Sequence, residues 1–441
     1  MTREEIIRVK MPLSLHKHIL NDLVRPHPHA HERVGFLYAS YIRLSDNENI
    51  LLCKEYLPVS DEHYIKDKNV GAKISSDAIR ASMQHVLDTG YSCFHIHLHD
   101  HPGKPSPSGT DSKSLPAVVQ SMITVGNGQP HGIIIFSANS FYAEVTINKK
   151  VIAPKLISVV GYPMLFTFQK RVGTRRSKIY DRQSFLGKDA QFLCENVKVG
   201  IIGYGGGGSH IGQQLAHIGF KNVVVFDDDK VEDTNMNRLI GAWLRDVKNK
   251  LLKIKVAQRV FDKILGKHNL KTVPSRWQQN PELLQTCDIV VGCVDSFEER
   301  SQLEAECRRY LIPYIDIGMD VHSNKTDANI FGQVILSMPG MSCMRCTGFI
   351  TEEKLGREAA KYGDVGGLPQ VVWSNGVLAS TAVGVIVDLI TGWTKQNDRM
   401  VYLAYDGNIG TLVKHPRLDY TPPNCEHYPL SNIGAVIFKK I

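Results

Sequence analysis

The chain has 441 residues, 43% hydrophobic and 22% charged, and its 52 Lys+Arg outweigh 44 Asp+Glu to give a net charge of +8. This composition excludes a globally disordered chain, and so mild a positive balance permits an acidic partner without demanding nucleic acid. The length predicts two or three domains. No stretch approaches the 18 or so uninterrupted apolar residues of a membrane helix; the best, Ser380 to Ile390, is short and carries Asp388. The opening MTREEIIRVK has no apolar h-region, so neither a secretory leader nor a membrane partner is expected. Nine cysteines, an odd number with a single C-x-x-C, fit a reducing cytoplasm and a metal site better than a disulfide framework.

In chain order, Leu15 to Val24 reads as a helix with Ser14 as its cap. Gly35 to Leu44 and Ile50 to Tyr56 read as strands of a hairpin joined by the turn SDNEN. An amphipathic helix follows at Ser76 to Leu87, then a strand at Cys93 to Leu98 and a loop rich in His, Pro and Gly. A helix at Asp111 to Met122 and strands near Ile133–Phe136 and Tyr142–Val145 complete an α+β unit over residues 1–162. Residues 163–179 are a basic connector; with no aromatic platform beside the FQKRVGTRRSKI cations, a solvated linker is expected and not a nucleic-acid site. From residue 180 to 441, strands at Val197–Ile202, Val223–Phe226, Ile289–Val291 and Tyr314–Ile317 alternate with helices, which predicts an α/β fold with a mostly parallel sheet.

The first chemical motif is HIHLHDHPGKPSPSGTD, His95 to Asp111. Alternate residues of a strand share a face, so His99 and His101 point at one ion, with Asp111 returning at a helix start. Two imidazoles and a carboxylate form the open three-ligand set of catalytic zinc. His95 and His97 extend the same face, so the register of the pair can shift. His99, His101, Pro102, Ser108 and Asp111 together resemble the signature of the JAB/MPN metalloprotease family. That resemblance implies an α+β JAB/MPN fold and cleavage of peptide or isopeptide bonds at the C-terminus of ubiquitin-like proteins. It further implies that Glu32, in HERVGFLYAS, is the general base and that Ser108 supports the oxyanion.

The second motif is VKVGIIGYGGGGSHIGQQL, with Gly203, Gly205, Gly206 and Gly208 at a strand-to-helix junction. Such glycines bring backbone N–H groups up to a phosphate. Asp227 ends the next strand, where a ribose hydroxyl is expected. Asp229, Asn235, Arg238, Lys255 and Asp295 follow, more polar groups than a dinucleotide needs. Together these residues resemble the ThiF/MoeB/HesA family of ubiquitin-activating-type adenylating enzymes, from Tyr180 to the C-terminus. The resemblance implies a Rossmann-like fold that binds ATP on the glycines, Asp227 and Asp229, with Asn235, Arg238 and Lys255 on the phosphates and Mg2+ on Asp295. It also makes Arg182, in IYDRQSF, an arginine finger reaching into the partner subunit of a homodimer. Family members often carry structural zinc on C-x-x-C pairs; here Cys343, Cys346 and Cys425, with His427 nearby, supply three Cys and one His. No cysteine lies between Cys346 and Asn375, where the ubiquitin-activating branch keeps its thioester cysteine, so direct transfer to a partner and use of another cysteine both stay open.

The expected partners are a ubiquitin-like β-grasp protein and either a conjugating-type enzyme or a sulfur donor. The pairing of the two domains resembles bacterial ubiquitin-like conjugation systems, some linked to phage defence, and sulfur-carrier pathways. A non-catalytic first domain that only docks a partner is the third expectation.

Overall fold

The computed structural model describes residues 5–44, 47–67, 70–126, 128–170, 177–323, 327–360, 369–396 and 400–435. The chain divides into two compact units, the first running to Gly161 and taking in Leu165–Phe168, the second holding Tyr162–Met164 and the described residues from Ser177 on.

The first unit runs β1 (Ile6–Pro12), α1 (Leu13–Leu23), β2 (Val34–Arg43), β3 (Glu48–Pro58), α2 (Ser76–Thr89), β4 (Ser92–Leu98) and α3 (Gly109–Val125), then β5 (His131–Phe136), β6 (Phe141–Ile147), β7 (Lys150–Ile152), β8 (Leu156–Val160) and β9 (Leu165–Phe168). The nine strands form one mixed sheet in the order β7-β6-β5-β4-β2-β3-β1-β8-β9. Ile19 and Leu23 of α1 pack on one face against Leu37, Phe94, Ile96 and Phe136. The other face carries Phe36, Tyr38 and Cys93 under Ala78, Met83 and Val86 of α2 and Met122 of α3. Strand alternation therefore sends Phe94 and Ile96 toward α1, and Cys93, His95 and His97 toward α2 and α3.

Three expectations shift. Helix α1 starts one residue before Ser14, with Pro12 at its N-cap and no side-chain cap, so Ser14 sits inside the first turn. Strand β1 lies parallel between β3 and β8, yet Arg8 and Lys10 interrupt its apolar residues and hide it from a search for apolar runs. Strand β9 pairs antiparallel with β8 and occupies part of the stretch read as a connector; residues 171–176 of that stretch, and Ser45 and Asp46 of the SDNEN turn, lie outside the described residues.

The second unit runs α4 (Ala190–Asn196), β10 (Lys198–Ile202), α5 (Gly206–Ile218), β11 (Asn222–Phe226), α6 (Leu244–Lys248), α7 (Lys253–Leu265), β12 (Lys271–Val273), α8 (Pro281–Gln285), β13 (Ile289–Gly292) and α9 (Phe297–Arg309). It continues with β14 (Tyr314–Ser323), β15 (Ala328–Ser337), α10 (Glu352–Ala360), α11 (Val372–Thr391), β16 (Val401–Asp406) and β17 (Thr411–Lys414). Its sheet has the order β12-β11-β10-β13-β14-β15-β16-β17. The first five strands are parallel, and β15, β16 and β17 add antiparallel because β15 returns directly on β14 without a helix. Strand order reverses between β10 and β13, the crevice where open α/β sheets bind ligands. Helix α11 is long and apolar enough to cross a membrane, but 67% of its most apolar window is buried. It packs on α5, β14 and β15, with Ser374, Asn375 and Asp388 buried in it.

Candidate functional site

In the second unit the loop between β10 and α5 opens a cavity of about 580 Å³ at the strand switch. Gly203 has φ +84°, and a Cβ on Gly208 would stand 2.0 Å from the Gly203 carbonyl oxygen, so only glycine lets α5 approach β10 this closely. A Cβ on Gly205 would meet nothing within 4 Å, because that residue faces the open cavity. The first turn of α5 leaves the N–H groups of Gly206, Gly207 and Gly208 without intrahelical acceptors, which makes a ready anion cradle.

Gly203, Gly205, Gly206, Asp227, Asp229, Asn235, Arg238 and Asp295 all line this cavity, whereas Gly208 acts behind it through close packing. Asp227 is nearly buried, and burial pushes its carboxyl above the ordinary range. Its two oxygens accept the backbone N–H of Tyr204 at 2.6 Å and of Asp229 at 2.9 Å. It thus ties the glycine loop to the end of β11 while forming the cavity wall. The Asn235 Oδ1 accepts from the Glu232 N–H at 3.1 Å. Arg238 lays its stem over Gly206 and donates to the Thr234 carbonyl and to Asn237. Asp295 is exposed on the rim, 3.4 Å from the Gln370 amide nitrogen.

Lys255 does not reach the cavity. It is exposed on α7, and the cation that lines the cavity is Lys253, 2.7 Å from Asp229. Residues two apart on a helix point nearly opposite ways. Lys253 shares its face with buried Val256 and Ala257, while Lys255 shares the polar face of Gln258, Arg259 and Asp262. That pattern, legible in LLKIKVAQRVFD, was the signal that picks the right lysine. Sequence reasoning also missed Arg276, Glu299 and Asn375 in the lining.

Arg182 is exposed on a 3-10 turn, Lys178–Leu186, whose Gln183 amide donates to the Ile218 carbonyl at 2.9 Å. Ile218 ends α5, and the glycine loop begins it. A 13-residue helix is about 20 Å long, so Arg182 lies a helix length from its own chain's anion cradle.

At the other end of α9, Cys343, Cys346, Cys425 and His427 bring their ligand atoms together within 4.8 Å. The Cys343 and Cys346 sulfurs are 3.6 Å apart, and the His427 Nδ1 is 3.5 and 3.4 Å from them. Tetrahedral zinc needs edges of about 3.6–3.8 Å between such atoms, so the donor set fits. The C-x-x-C turn is held from α9: the Glu304 carboxylate accepts the Met344 N–H at 2.7 Å, and Arg308 donates to the Ser337 hydroxyl and the Met338 carbonyl, each at 2.9 Å.

In the first unit the pair that converges is His97 and His99, not His99 and His101. Their Nε2 atoms are 3.1 Å apart, and each lies 3.5 Å from an Asp111 carboxylate oxygen. Glu32 brings its carboxylate within 4.8 Å of both. Tetrahedral zinc on such donors asks for edges of about 3.3 Å, so this set fits as well. His101 is excluded because the two-residue alternation stops at Asp100, just past the end of β4 at Leu98. The His101 N–H donates to the His99 carbonyl at 2.8 Å, a tight turn at Asp100 that breaks the two-residue alternation. His101 is left exposed, its Nδ1 beside the Pro102 carbonyl. Pro102 therefore follows the turn and does not make it.

Ser108 is the N-cap of α3: its hydroxyl accepts the Asp111 N–H at 3.1 Å, and its own N–H donates to Asp111 Oδ2 at 2.7 Å. Its observed work is to fix the Asp111 carboxylate. Burial alone would raise that carboxyl, but hydrogen bonds from His97 and from the Ser108 side chain and backbone outweigh it and hold it well below the usual range. Behind the pair, burial and then His97 lower the His95 imidazole to about 3, so it is neutral. Glu32 is placed by its neighbours: Arg33 donates to the Arg25 and Pro26 carbonyls and pairs with Asp61 at 2.7 Å. The Gly71 carbonyl accepts the Glu32 N–H at 3.1 Å.

The second unit, a Rossmann-like α/β domain with a glycine-cradled anion cavity at the strand switch and a four-group cysteine–histidine cluster, defines a nucleotide-binding class. The profile of the ThiF family matches residues 180–427, more than half of the chain, and the chain belongs to that family. It is 25% identical over 245 residues to ubiquitin-like modifier-activating enzyme 5 of Drosophila ananassae, covering 52% of this chain and 59% of that protein. It is 29% identical over 141 residues to a molybdopterin-synthase adenylyltransferase of Haemophilus influenzae, covering 31% and 57%. The chain thus spans somewhat under three fifths of the length of these relatives. Among solved structures, MccB of E. coli with ATP aligns at a TM-score of 0.47 and 19% identity, over 58% of this chain and 74% of that one.

Removing Lys253 takes a charged donor from the cavity, whereas removing Lys255 changes a solvated face. Lys253→Ala is expected to weaken ATP binding by about 10-fold or more, and Lys255→Ala to leave it unchanged, as measured by calorimetric titration.

Proposed function

We propose that the second unit adenylates the C-terminal glycine carboxylate of a ubiquitin-like β-grasp protein with MgATP, releasing pyrophosphate. The observation that carries this reading is the convergence of the glycine cradle, Arg238, Lys253 and Asp295 on one cavity in a chain of the ThiF family. The N–H groups of Gly206 to Gly208 hold phosphate oxygens, and Arg238 and Lys253 neutralise them. Asp295 is the carboxylate placed to hold Mg2+, which when bound screens the leaving pyrophosphate. Charge that builds on the α-phosphate as the carboxylate attacks calls for one more cation. Arg182 lies too far away to serve its own cavity, so it supplies that cation to a second copy, and the active species is a homodimer.

The first unit, in this proposal, has a JAB/MPN-type fold and is a zinc peptidase that trims or deconjugates the same protein. Here the carrying observation is the meeting of His97, His99 and Asp111 with Glu32 beside them. The three would hold zinc, which when bound polarises the scissile carbonyl. Glu32 takes the proton of the attacking water and passes it to the leaving amine. Two units that work on one substrate tail make the fusion chemically coherent. Nine cysteines, none of them in a disulfide and three of them in a zinc-fitting cluster, support a reducing cytoplasm as its compartment. Bacterial ubiquitin-like conjugation, with the phage-defence setting some such systems have, is the biological context proposed.

Pyrophosphate exchange tests the adenylation. It is expected to require both the terminal glycine of a β-grasp protein and Asp295, and to vanish in Asp295→Ala; exchange that survives this change removes the proposal. Mixing Arg182→Ala with Asp295→Ala chains should restore about a quarter of wild-type exchange, because half the dimers are mixed and each carries one complete site. No restoration places the finger in its own chain or nowhere.

Zinc content tests the first unit. The purified chain is expected to hold two zinc ions, one per site. His97→Ala should lose one by elemental analysis, and His101→Ala should lose none. Loss in His101→Ala with none in His97→Ala would return the pair to His99 and His101.

A further inference from the structure

Beside the cavity, on the face of the sheet where α9 packs, the second unit gathers cations that no carboxylate answers. Helix α9 opens at Phe297, two residues past Asp295 on the cavity rim. The Phe297 ring lies 5.6 Å from that of Phe349, which follows the C-x-x-C turn. Two cations sit over both rings. Lys354 of α10 is 4.9 Å from the Phe297 ring and 4.8 Å from the Phe349 ring, and Arg300 of α9 is 5.5 and 5.7 Å from them. Ring faces hold a cation without neutralising it.

A third cation, Arg417, follows β17. Its guanidinium donates to the Gly348 carbonyl, and the Lys354 ammonium donates to the Phe349 carbonyl at 2.7 Å. Successive carbonyls thus hold the two side by side. Gly348 has φ +66°, and a Cβ there would stand 2.9 Å from an Arg417 nitrogen, so glycine is what lets the guanidinium in. The His415 ring, whose Nδ1 accepts the Arg417 N–H at 3.1 Å, stacks on Tyr402 at 4.1 Å, and Tyr402 lies 6.1 Å from Phe349.

The carboxylates of these elements are engaged elsewhere. Arg300 pairs with buried Asp316 at 3.2 Å. On α10, Glu352 pairs with Arg345 and Glu353 with Arg357, while Glu358 accepts the Phe297 and Glu298 N–H groups at 3.0 and 2.9 Å. After β17, Asp419 pairs with Lys414 at 2.6 Å. Among the described residues, neither Lys354 nor Arg417 has an ion pair. Burial, then Arg417 and Arg300, lowers the Lys354 ammonium; burial, then Arg417 and Lys354, lowers the His415 imidazole. Cations held together against their own repulsion, beside aromatic walls, offer a site to an anionic oxygen group.

Its place in the sheet selects the anion. Asp316, Gly318, Ile335 and Tyr402 share one face through the registers of β14, β15 and β16. Gly318 also lines the cavity, and a Cβ on it would stand 2.3 Å from an Arg300 nitrogen. The cluster therefore continues the cavity along that face. Lys253 meets Asp229 just past β11, on the other side of the strand switch from β16, so the triphosphate is drawn away from the cluster. Two strand spacings, about 10 Å, separate β14 from β16. An extended chain covers about 3.3 Å per residue, so a peptide with its terminal carboxylate in the cavity passes the cluster roughly three to five residues earlier.

We infer that Lys354 and Arg417 form an anion subsite that reads a carboxylate side chain roughly three to five residues before the terminal glycine of the protein being adenylated. The inference rests on the adenylation proposed above and names a substrate feature that it selects.

Short fluorescent peptides ending in Gly-Gly, with glutamate, glutamine or lysine at the fourth residue before the terminal glycine, are titrated by anisotropy into the full-length chain with a non-hydrolysable MgATP analogue. The glutamate peptide is expected to bind about 10-fold more tightly than the glutamine one. Lys354→Ala and Arg417→Ala should each narrow that gap without changing affinity for the nucleotide analogue. Lys354→Glu combined with Arg417→Glu should reverse the preference toward the lysine peptide, a gain that a misfolded chain does not give. Equal binding of the glutamate and glutamine peptides, or a gap that survives both alanine changes, overturns the inference. So does an equal loss of affinity for the nucleotide analogue in the alanine variants, which makes the cations supports of the cavity. If the glutamate preference holds while no β-grasp protein supports pyrophosphate exchange, the adenylation reading falls and the carboxylate subsite stands.

Discussion

The cavity of the second unit exists because the backbone of α5 comes closer to β10 than any side chain permits. Gly208 lies against the Gly203 carbonyl with no room for a Cβ. That contact aims the first turn of α5 at the strand switch, where β10 and β13 part. The walls follow from it: Asp227 clamps the loop through the Tyr204 N–H, and Arg238 covers Gly206. Much of the polar chemistry of the second unit is arranged around an approach that only hydrogen side chains allow.

The histidine site of the first unit depends on a different constraint, the point at which a strand stops. As long as β4 alternates, successive histidines face α2 and α3; once the chain turns at Asp100 they do not. Asp111 is then delivered by the start of α3, where a reciprocal cap with Ser108 fixes its carboxylate against His97 and His99. A helix cap and a strand end, each local, together set the spacing of three donor groups.

Much of this was legible in the sequence. The strands and helices around both motifs fall within a few residues of their expected places, since Cys93–Leu98 and Val197–Ile202 are apolar or alternating runs flanked by glycine and proline. What was not legible depended on register. A row of four histidines spaced by two gives equal support to any adjacent pair, and only the turn at Asp100 chooses. Two lysines spaced by two pose the same ambiguity on a helix, where the buried face selects Lys253. Strand β1 escaped because Arg8 and Lys10 interrupt its apolar residues. The cluster at Cys343 was half legible: the C-x-x-C turn announces itself, but its meeting with Cys425 and His427 is tertiary.

That meeting also changes what the chain is as a polymer. Cys346 and His427 stand 81 residues apart in sequence and 3.4 Å apart in space. A metal bound there would close a loop that encloses α10, α11, β16 and β17, as a cross-link would. Closing so long a loop removes about 4–5 kcal/mol of chain entropy from the unfolded state. The cluster would therefore act on the cavity's far wall, where α11 contributes Asn375 and Leu378, with no contact to nucleotide, by denying the unfolded chain the freedom to let that helix go.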